Sequence, residues 1–453
     1  MDLIKNIFRE YDIRGVYGDE LTDELAYHIG RAFGTKLIRQ NIISTVVAYD
    51  NRSSSVNLEN NLVKGLIDTG VTVKRIGLAT TPMCYFAANF LGCNSSMMIT
   101  ASHNPKEYNG FKFSYNGIHN AYGPAVMEIH DLIEKQDYEK GIGKIENVDI
   151  REDYINLVID KLNIGRRIKA IYDCGNGTGS IIAGDIFERL KDKIDYIPLF
   201  DVSDGNFPNH HPDPCVEENL AILKQKVLEN HADVGIGYDG DADRVGFVDE
   251  KGTFIEIDKF LAVMWDYLYD KVDKKECLYD VKCSKTLEDE LQKLGVKGVE
   301  YRTGNSYTRA ASASGDYPLS GELSGHVYFR DKWPGYDDGI YVGMRLIEMI
   351  SNSDKPLSSY LENLEKYYST PEIKVKVTDE TKFAIVDKMK EYCESKGYNF
   401  ITIDGVKVKF NDGFALVRAA NTGPTITMRF EAKEMNKLKE YQNEFENELK
   451  KYL

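Results

Sequence analysis

The chain is 453 residues long, which at about 150 residues per domain allows three or four compact units. Apolar residues make up 42% and charged residues 28%, the balance of a folded globular protein, while 72 acidic against 57 basic side chains leave a net charge of −15. That charge argues against a nucleic-acid or anionic-membrane surface as the main business, and no apolar run approaches the ~20 residues of a membrane helix. A phosphorylated ligand would have to be held by cations gathered locally against this field.

The first residues, MDLIKNIFREYDIRG, are too charged for a secretory signal. The seven cysteines (Cys84, Cys93, Cys174, Cys215, Cys277, Cys283 and Cys393) are scattered and odd in number, with no CxxC pair. A disulfide framework or a zinc site is therefore disfavoured, and a reducing, cytoplasmic compartment is expected.

In chain order, residues 43–50 (ISTVVAYD) read as a buried strand, 57–70 as a helix closed by Gly70, 71–77 as the next strand and 96–100 as another. This β-α-β rhythm predicts a largely parallel sheet covered by helices. It restarts at 169–176 (KAIYDCGN) and 277–284 (CLYDVKCS). Tyr-Asp then recurs at the strand ends with Asp50, Asp173 and Asp280, 123 and 107 residues apart, which points to three similar modules in tandem. The last stretch differs: an alternating strand, a helical segment, two Asp-Gly turns (Asp404-Gly405 and Asp412-Gly413), a further strand and a Lys/Glu-rich closing helix predict a small α+β domain with an antiparallel sheet. The expected boundaries are 1–147, 148–250, 251–365 and 366–453.

Four segments carry chemistry. In VGIGYDGDADRVGFVDE (234–250), Asp239, Asp241 and Asp243 alternate directly after an apolar strand, and an extended loop would throw the three carboxylates to one side. Three hard oxygen ligands suit Mg²⁺. Arg244 stands where an EF-hand needs glycine, which excludes that calcium loop. In MMITASHNPKEYNGFKFSYNG (97–117), Ser102 has His103 beside it and Lys112 ten residues on; a nucleophilic hydroxyl and a Ser-His pair in an Asn-Pro-punctuated turn are equally compatible with that chemistry. In residues 319–341, Glu322, Ser324 and His326 alternate between glycines, a pattern that fits either a hydroxyl-reading loop or a β-bulge. In 417–432, Arg418, Asn421 and Thr422 offer guanidinium, amide and hydroxyl groups for a phosphate cradle, or simply form a turn. GNGTGS (175–180) has Ser180 where a dinucleotide fingerprint needs its third glycine, and is read as a tight strand–helix turn.

Taken together and in order, TASHNP, DGDADR, GELSGH and RAANTGP, opened by FREYDIRG (8–15), resemble the α-D-phosphohexomutase superfamily, and most closely its phosphomannomutase/phosphoglucomutase branch. The resemblance spans essentially the whole chain. EYNGFK (107–112) and Leu323 fit that branch better than the phosphoglucosamine mutases, where Gln is expected at 323. The resemblance implies four domains around a central cleft, three of one α/β topology plus the smaller α+β domain. The activity it implies is interconversion of hexose 1-phosphate and hexose 6-phosphate, with mannose, glucose or both as the sugar. A phosphoserine enzyme would act through a bound hexose 1,6-bisphosphate that reorients.

By the same resemblance Ser102 would be the phosphoserine, with Asp239, Asp241, Asp243 and a phosphoserine oxygen holding Mg²⁺. His103 and Lys112 would be proton-transfer candidates. Glu322, Ser324 and Gly325 would meet the sugar, and Arg418, Asn421 and Thr422 its distal phosphate. Tyr11, Arg14, Arg244, Lys282, Asn305 and His326 match further cleft positions. Two residues depart from the family pattern: Ala420 replaces the usual Ser of the phosphate loop, and Asn305 replaces a His. A small sugar phosphate is the expected partner, with neither nucleic acid nor membrane, and the chain is expected to be a monomer or weak homodimer. The rival readings are a phosphoglucosamine mutase, a Mg²⁺-dependent sugar phosphatase and a non-catalytic sugar-phosphate sensor. The first reading requires one hydroxyl, one cation site, one hydroxyl-reading loop and one anion clamp to serve a single substrate.

Overall fold

The computed structural model describes residues 5–117, 119–421 and 423–453. They form two compact units. One holds the described residues up to Glu256 together with Ser324–Ser359, and the other holds Ile257–Leu323 with Tyr360–Leu453.

In the first unit, a sheet runs Ile13–Val16, Tyr108–Asn116, Ser96–Ile99, Ser44–Tyr49, Thr72–Leu78 and Ile145–Asn147 in spatial order, with His119–Asn120 beside Tyr108–Asn116. Ser44–Tyr49 is parallel to both Ser96–Ile99 and Thr72–Leu78, whereas Tyr108–Asn116 returns antiparallel to Ser96–Ile99. A second sheet repeats the plan. Ile168–Asp173 is parallel to Ile194–Leu199 and Val234–Tyr238, and Val245–Asp249 returns antiparallel to Val234–Tyr238. The central strands read as unbroken apolar runs because both faces are covered, and Ser96–Ile99 and Val234–Tyr238 are buried at every residue. Helix Thr81–Phe90 enters with Thr80 accepting the Met83 N–H and Pro82 at its start, as helix-start chemistry requires.

The second unit contains the third occurrence of the plan: Lys297–Tyr301, Glu276–Asp280 and Leu319–Gly321 lie side by side, all parallel. It also contains the C-terminal sheet. There Tyr368–Ser369 and Ile373–Lys376 pair with Thr425–Ala432, followed by Gly413–Ala419, Val406–Phe410 and Phe400–Ile401, every pairing antiparallel. Helices Lys382–Lys396 and Met435–Leu449 bury Met389, Leu438 and Phe445 in a core with this sheet. The fold is thus the expected one: three mixed α/β modules and an antiparallel α+β domain.

The Tyr-Asp repeat acquires a physical meaning here. Asp50, Asp173 and Asp280 end equivalent strands and are all buried. Two of them accept the backbone N–H two residues on: Asp50 from Arg52 at 3.0 Å and Asp173 from Gly175 at 2.8 Å. Each fixes the turn that leaves its strand. The neighbouring parallel strand in each module, Ser96–Ile99, Val234–Tyr238 or Leu319–Gly321, is followed within three residues by Ser102, Asp239 or Glu322. The candidate groups therefore occupy one repeated position, the carboxyl end of the same strand, where open α/β sheets carry their sites.

Candidate active site

Ser102 lies in the loop joining Ser96–Ile99 to the returning strand Tyr108–Asn116, and the aspartate trio lies in the equivalent loop between Val234–Tyr238 and Val245–Asp249. The two loops meet. Ser102 Oγ donates to Asp239 Oδ2 at 2.8 Å and lies 3.3 Å from His103 Nδ1. Close approach depends on Gly240, since a Cβ there would stand 2.5 Å from the Ser102 carbonyl oxygen. The GNGTGS turn supports that glycine from beneath: the Thr178 N–H and Oγ1 both donate to the Gly240 carbonyl, at 2.9 and 3.1 Å. It is a strand–helix turn, as expected, and it braces the aspartate loop.

The three carboxylates converge, though not through extended alternation. The loop turns, with Ala242 in the left-handed region at φ 59°, and ligand oxygens of Asp239, Asp241 and Asp243 come within 4.8 Å of one another. All three residues are buried. Lys112, opposite Met98 on the returning strand, donates to Asp241 Oδ2 and Asp243 Oδ2, both at 2.7 Å. Thr81 Oγ1 donates to Asp241 Oδ2 at 2.6 Å. Burial, reinforced by Asp241 and Asp243, pushes the Asp239 pKa well above its ordinary value. Burial pushes Asp241 the same way, but Lys112 and Thr81 outweigh it and leave that carboxyl well below the usual range. Lys112 is likewise raised, because the two carboxylates overcome the burial that disfavours its ammonium.

The residues fit a hard divalent cation. Besides Asp239, two carboxylate oxygens, Asp241 Oδ1 and Asp243 Oδ1, are buried with no hydrogen-bond partner among the described residues. Orphaned anionic oxygens in a dry site are costly unless a cation meets them.

Arg244 leaves this loop with its N–H donated to Asp239 Oδ1 at 3.0 Å and its Nε donated to His326 Nε2 at 3.0 Å. His326 Nδ1 lies 2.7 Å from Asp337 Oδ2, so Asp337 orients the imidazole that orients the guanidinium. Gly325, at φ 100°, passes its carbonyl to the Val245 N–H. Ser324 is half-buried beside it. Arg14 donates to the Ala101 carbonyl at 3.2 Å and to Asn104 Oδ1 at 2.8 Å, reaching the serine loop from the N-terminal strand, while Tyr11 is half-buried just before that strand.

The second unit gathers a different set. Glu322 is buried and accepts the Gly304 N–H at 2.9 Å and the Thr308 hydroxyl. Asn305, first residue of helix Asn305–Gly315, accepts from Arg309 at 3.2 Å. Asp404, in the first Asp-Gly turn, accepts from both Arg418 Nε and the Thr303 N–H at 2.9 Å, and Asn421 Nδ2 reaches the Thr303 carbonyl at 3.5 Å. Gly405, at φ 80°, permits this: a Cβ there would sit 2.7 Å from Arg418 Cα. Thr422 lies outside the described residues. Lys282 Nζ is 2.8 Å from Glu372 and 3.7 Å from Asp280. Lys282 holds the Glu372 carboxyl down at about 2.

Thr81, Asp337, Glu372 and Asp404 did not stand out in the sequence. Asp337 and Asp404 lie inside segments already noted, in the loop after His326 and the Asp-Gly turn, but nothing local marks their partners.

The chain matches four successive family models: phosphoglucomutase/phosphomannomutase α/β/α domain I over residues 5–140, domain II over 152–252, domain III over 256–368 and the C-terminal domain over 372–448. A phosphomannomutase/phosphoglucomutase of Pseudomonas aeruginosa is 39% identical over 445 residues, covering 98% of this chain and 96% of that protein. A phosphoglucomutase of Neisseria gonorrhoeae is 37% identical over 98% of this chain and 96% of its own length. The solved structure of a phosphoglucomutase/phosphomannomutase family protein from Burkholderia thailandensis superposes with a TM-score of 0.92 at 35% identity, covering 99% of this chain and 98% of that one.

Gly240→Ala should force the two loops apart. Overpacking of this kind costs about 1–3 kcal/mol, and turnover should fall more than the melting temperature suggests; unchanged kinetics would show that the loops tolerate separation. Glu372, ordinarily near 4.5 and here about 2, contributes stability that is complete above 4.5 and lost as pH falls through about 2. Denaturant midpoints of Glu372→Gln should therefore trail wild type at about pH 7 and converge on it only at about pH 2 and below.

Proposed function

The chain belongs to the phosphoglucomutase/phosphomannomutase family, and from that membership and the Ser102–Asp239 contact we propose how it interconverts hexose 1-phosphate and hexose 6-phosphate. The activity is that of an isomerase acting by intramolecular phosphoryl transfer. Ser102 carries the stored phosphoryl group. In the first half-reaction the bond from phosphorus to Ser102 Oγ breaks as a bond forms to the free O6 or O1 of the sugar phosphate, giving the 1,6-bisphosphate. The sugar hydroxyl loses its proton, and His103, with Nδ1 at 3.3 Å from Ser102 Oγ, is the group placed to take it. His103 passes that proton to the Ser102 oxygen as it is freed; after the bisphosphate reorients, its other phosphoryl moves to Ser102, and the serine proton returns through His103 to the departing sugar oxygen.

Transfer of a phosphoryl group is chiefly a matter of position and compensating charge. Asp239, Asp241 and Asp243, with an oxygen of phosphorylated Ser102, would hold Mg²⁺, which when bound supplies positive charge beside the migrating group. Arg244, steadied by His326 and Asp337, offers a guanidinium on the same side. Lys112, committed to two carboxylates, acts as fixed positive charge. Glu322 and Ser324 read the 3- and 4-hydroxyls, which occupy similar places in both orientations of the bisphosphate, so mannose and glucose are both accepted. Arg418, Asn421 and Thr422, assisted by Lys282 and Asn305, grip the phosphate that does not react. Arg14 borders the serine loop, and Tyr11 is assigned to the substrate cleft by the family pattern alone. None of the seven cysteines is in a disulfide, which suits a reducing cytoplasm, and among the described residues no helix is long and apolar enough to cross a membrane.

Ser102→Ala should lower turnover by at least roughly 1,000-fold with the melting temperature unchanged, and undiminished activity would refute the nucleophile. With mannose 1-phosphate or glucose 1-phosphate and a trace of 1,6-bisphosphate, the wild type should yield 6-phosphates and no inorganic phosphate. Stoichiometric phosphate and free sugar would instead mark a phosphatase, and preference for glucosamine 1-phosphate would move the substrate assignment. Thr81→Val removes a hydrogen bond to a carboxylate of the trio and should weaken Mg²⁺ binding roughly 10- to 100-fold by calorimetry. Unaltered binding would place the cation elsewhere.

A further inference from the structure

Arg52 stands three residues beyond strand Ser44–Tyr49, and its side chain has no solvent exposure. A guanidinium has five N–H donors, and here every one is used. Nε donates to Asp50 Oδ2 at 3.1 Å. One terminal nitrogen donates to the carbonyls of Pro105 and Tyr108 at 2.6 and 3.1 Å. The other donates to those of Ser102 and Asn104 at 2.8 and 2.7 Å. Four backbone carbonyls, three in the loop that carries Ser102 and one on the first residue of the strand after it, thus point inward at a single cation. Asp50 aims that cation, because it also accepts the Arg52 N–H at 3.0 Å and the Ser55 hydroxyl at 2.5 Å. The Phe207 ring lies over the guanidinium at 5.1 Å.

Within this loop Ser102 itself has φ 51°, a left-handed conformation unusual for a residue other than glycine. Such conformations persist only where the surroundings over-determine them. The hydrogen bond to the Ser102 carbonyl, with three more on the following residues, supplies that over-determination.

We propose that Arg52 is the positioning residue that templates the phosphoserine loop, holding Ser102 in the left-handed turn that presents Oγ to Asp239. It touches neither substrate nor the reacting atoms, and it acts through the four carbonyls it gathers. The proposal rests on the reading of Ser102 as the phosphoryl carrier. A lysine in its place keeps the charge but offers three donors on one nitrogen, so it cannot span the same four acceptors.

The test follows phosphate uptake on the peptide containing Ser102 by mass spectrometry. Wild type, Arg52→Lys and Arg52→Ala are exposed to glucose 1,6-bisphosphate and Mg²⁺ well below each melting temperature. Both variants should take up phosphate about 100-fold more slowly than wild type, the cost of a misplaced nucleophile, with KM for hexose 1-phosphate little changed. Guanidinium chloride at non-denaturing concentration should restore much of the Arg52→Ala rate, whereas methylammonium should not. A wild-type rate in either variant would overturn the proposal, as would a loss that guanidinium leaves unrestored and that tracks the fall in stability. If neither variant folds, Asp50→Asn, which keeps the guanidinium but removes the charge that aims it, must slow phosphate uptake; an unchanged rate would overturn the proposal. Failure of wild type itself to gain phosphate on Ser102 would instead strike the underlying reading.

Discussion

Three buried carboxylates clustered together, one of them bonded to the Ser102 hydroxyl, form the constraint on which the rest of the site depends. Like charges this close cannot all stay ionised in a dry environment without compensation. The chain supplies part of it: Lys112 bridges Asp241 and Asp243, and the Arg244 N–H meets Asp239. These groups leave oxygens of Asp241 and Asp243 unmet. A phosphoryl group on Ser102 would add close to two further negative charges at the same point. A divalent cation balances both demands at once, which is why a site of this composition suits phosphoryl storage better than it suits a neutral ligand.

The architecture brings these groups together by repetition. One strand–loop–strand unit, used in the first and second modules, yields a serine loop and an aspartate loop of the same topology, pressed against each other through Gly240. The third module places Glu322 after the corresponding strand. Within the second unit, an antiparallel sheet sets its Asp-Gly turn against the Arg418 guanidinium. A fold built from copies of one α/β unit needs little invention to assemble several reactive loops, because each copy opens its site at the same sheet end.

Much of this was legible in the chain. Apolar runs, Tyr-Asp strand ends and Asp-Gly turns announced three α/β modules and a closing antiparallel α+β domain, because each signal is local. Ser102 and the aspartate trio stood out because their own neighbours make them chemically unusual. The path by which the carboxylates converge did not: the period of an extended strand predicted it, but a turn through left-handed Ala242 produces it. Partnerships across long sequence distances stayed hidden as well. Arg52 is an ordinary surface-type residue in sequence, and only burial beneath a loop fifty residues away shows its use. Asp337 and Asp404 are acidic residues in polar turns until His326 and Arg418 are seen beside them. The family resemblance made Lys112 a proton-transfer candidate, and the structure shows its ammonium held by two carboxylates.

The central claim is that phosphate resides on Ser102 as an intermediate and passes to the sugar. It is tested most directly by isolating enzyme labelled with radioactive phosphate on Ser102 and mixing it, in one turnover, with unlabelled hexose 1-phosphate. The account predicts that the label leaves the protein at the rate of catalysis and appears in bisphosphate and hexose 6-phosphate, with none in inorganic phosphate. Label that stays on the protein through many turnovers, or that emerges as inorganic phosphate, would contradict it.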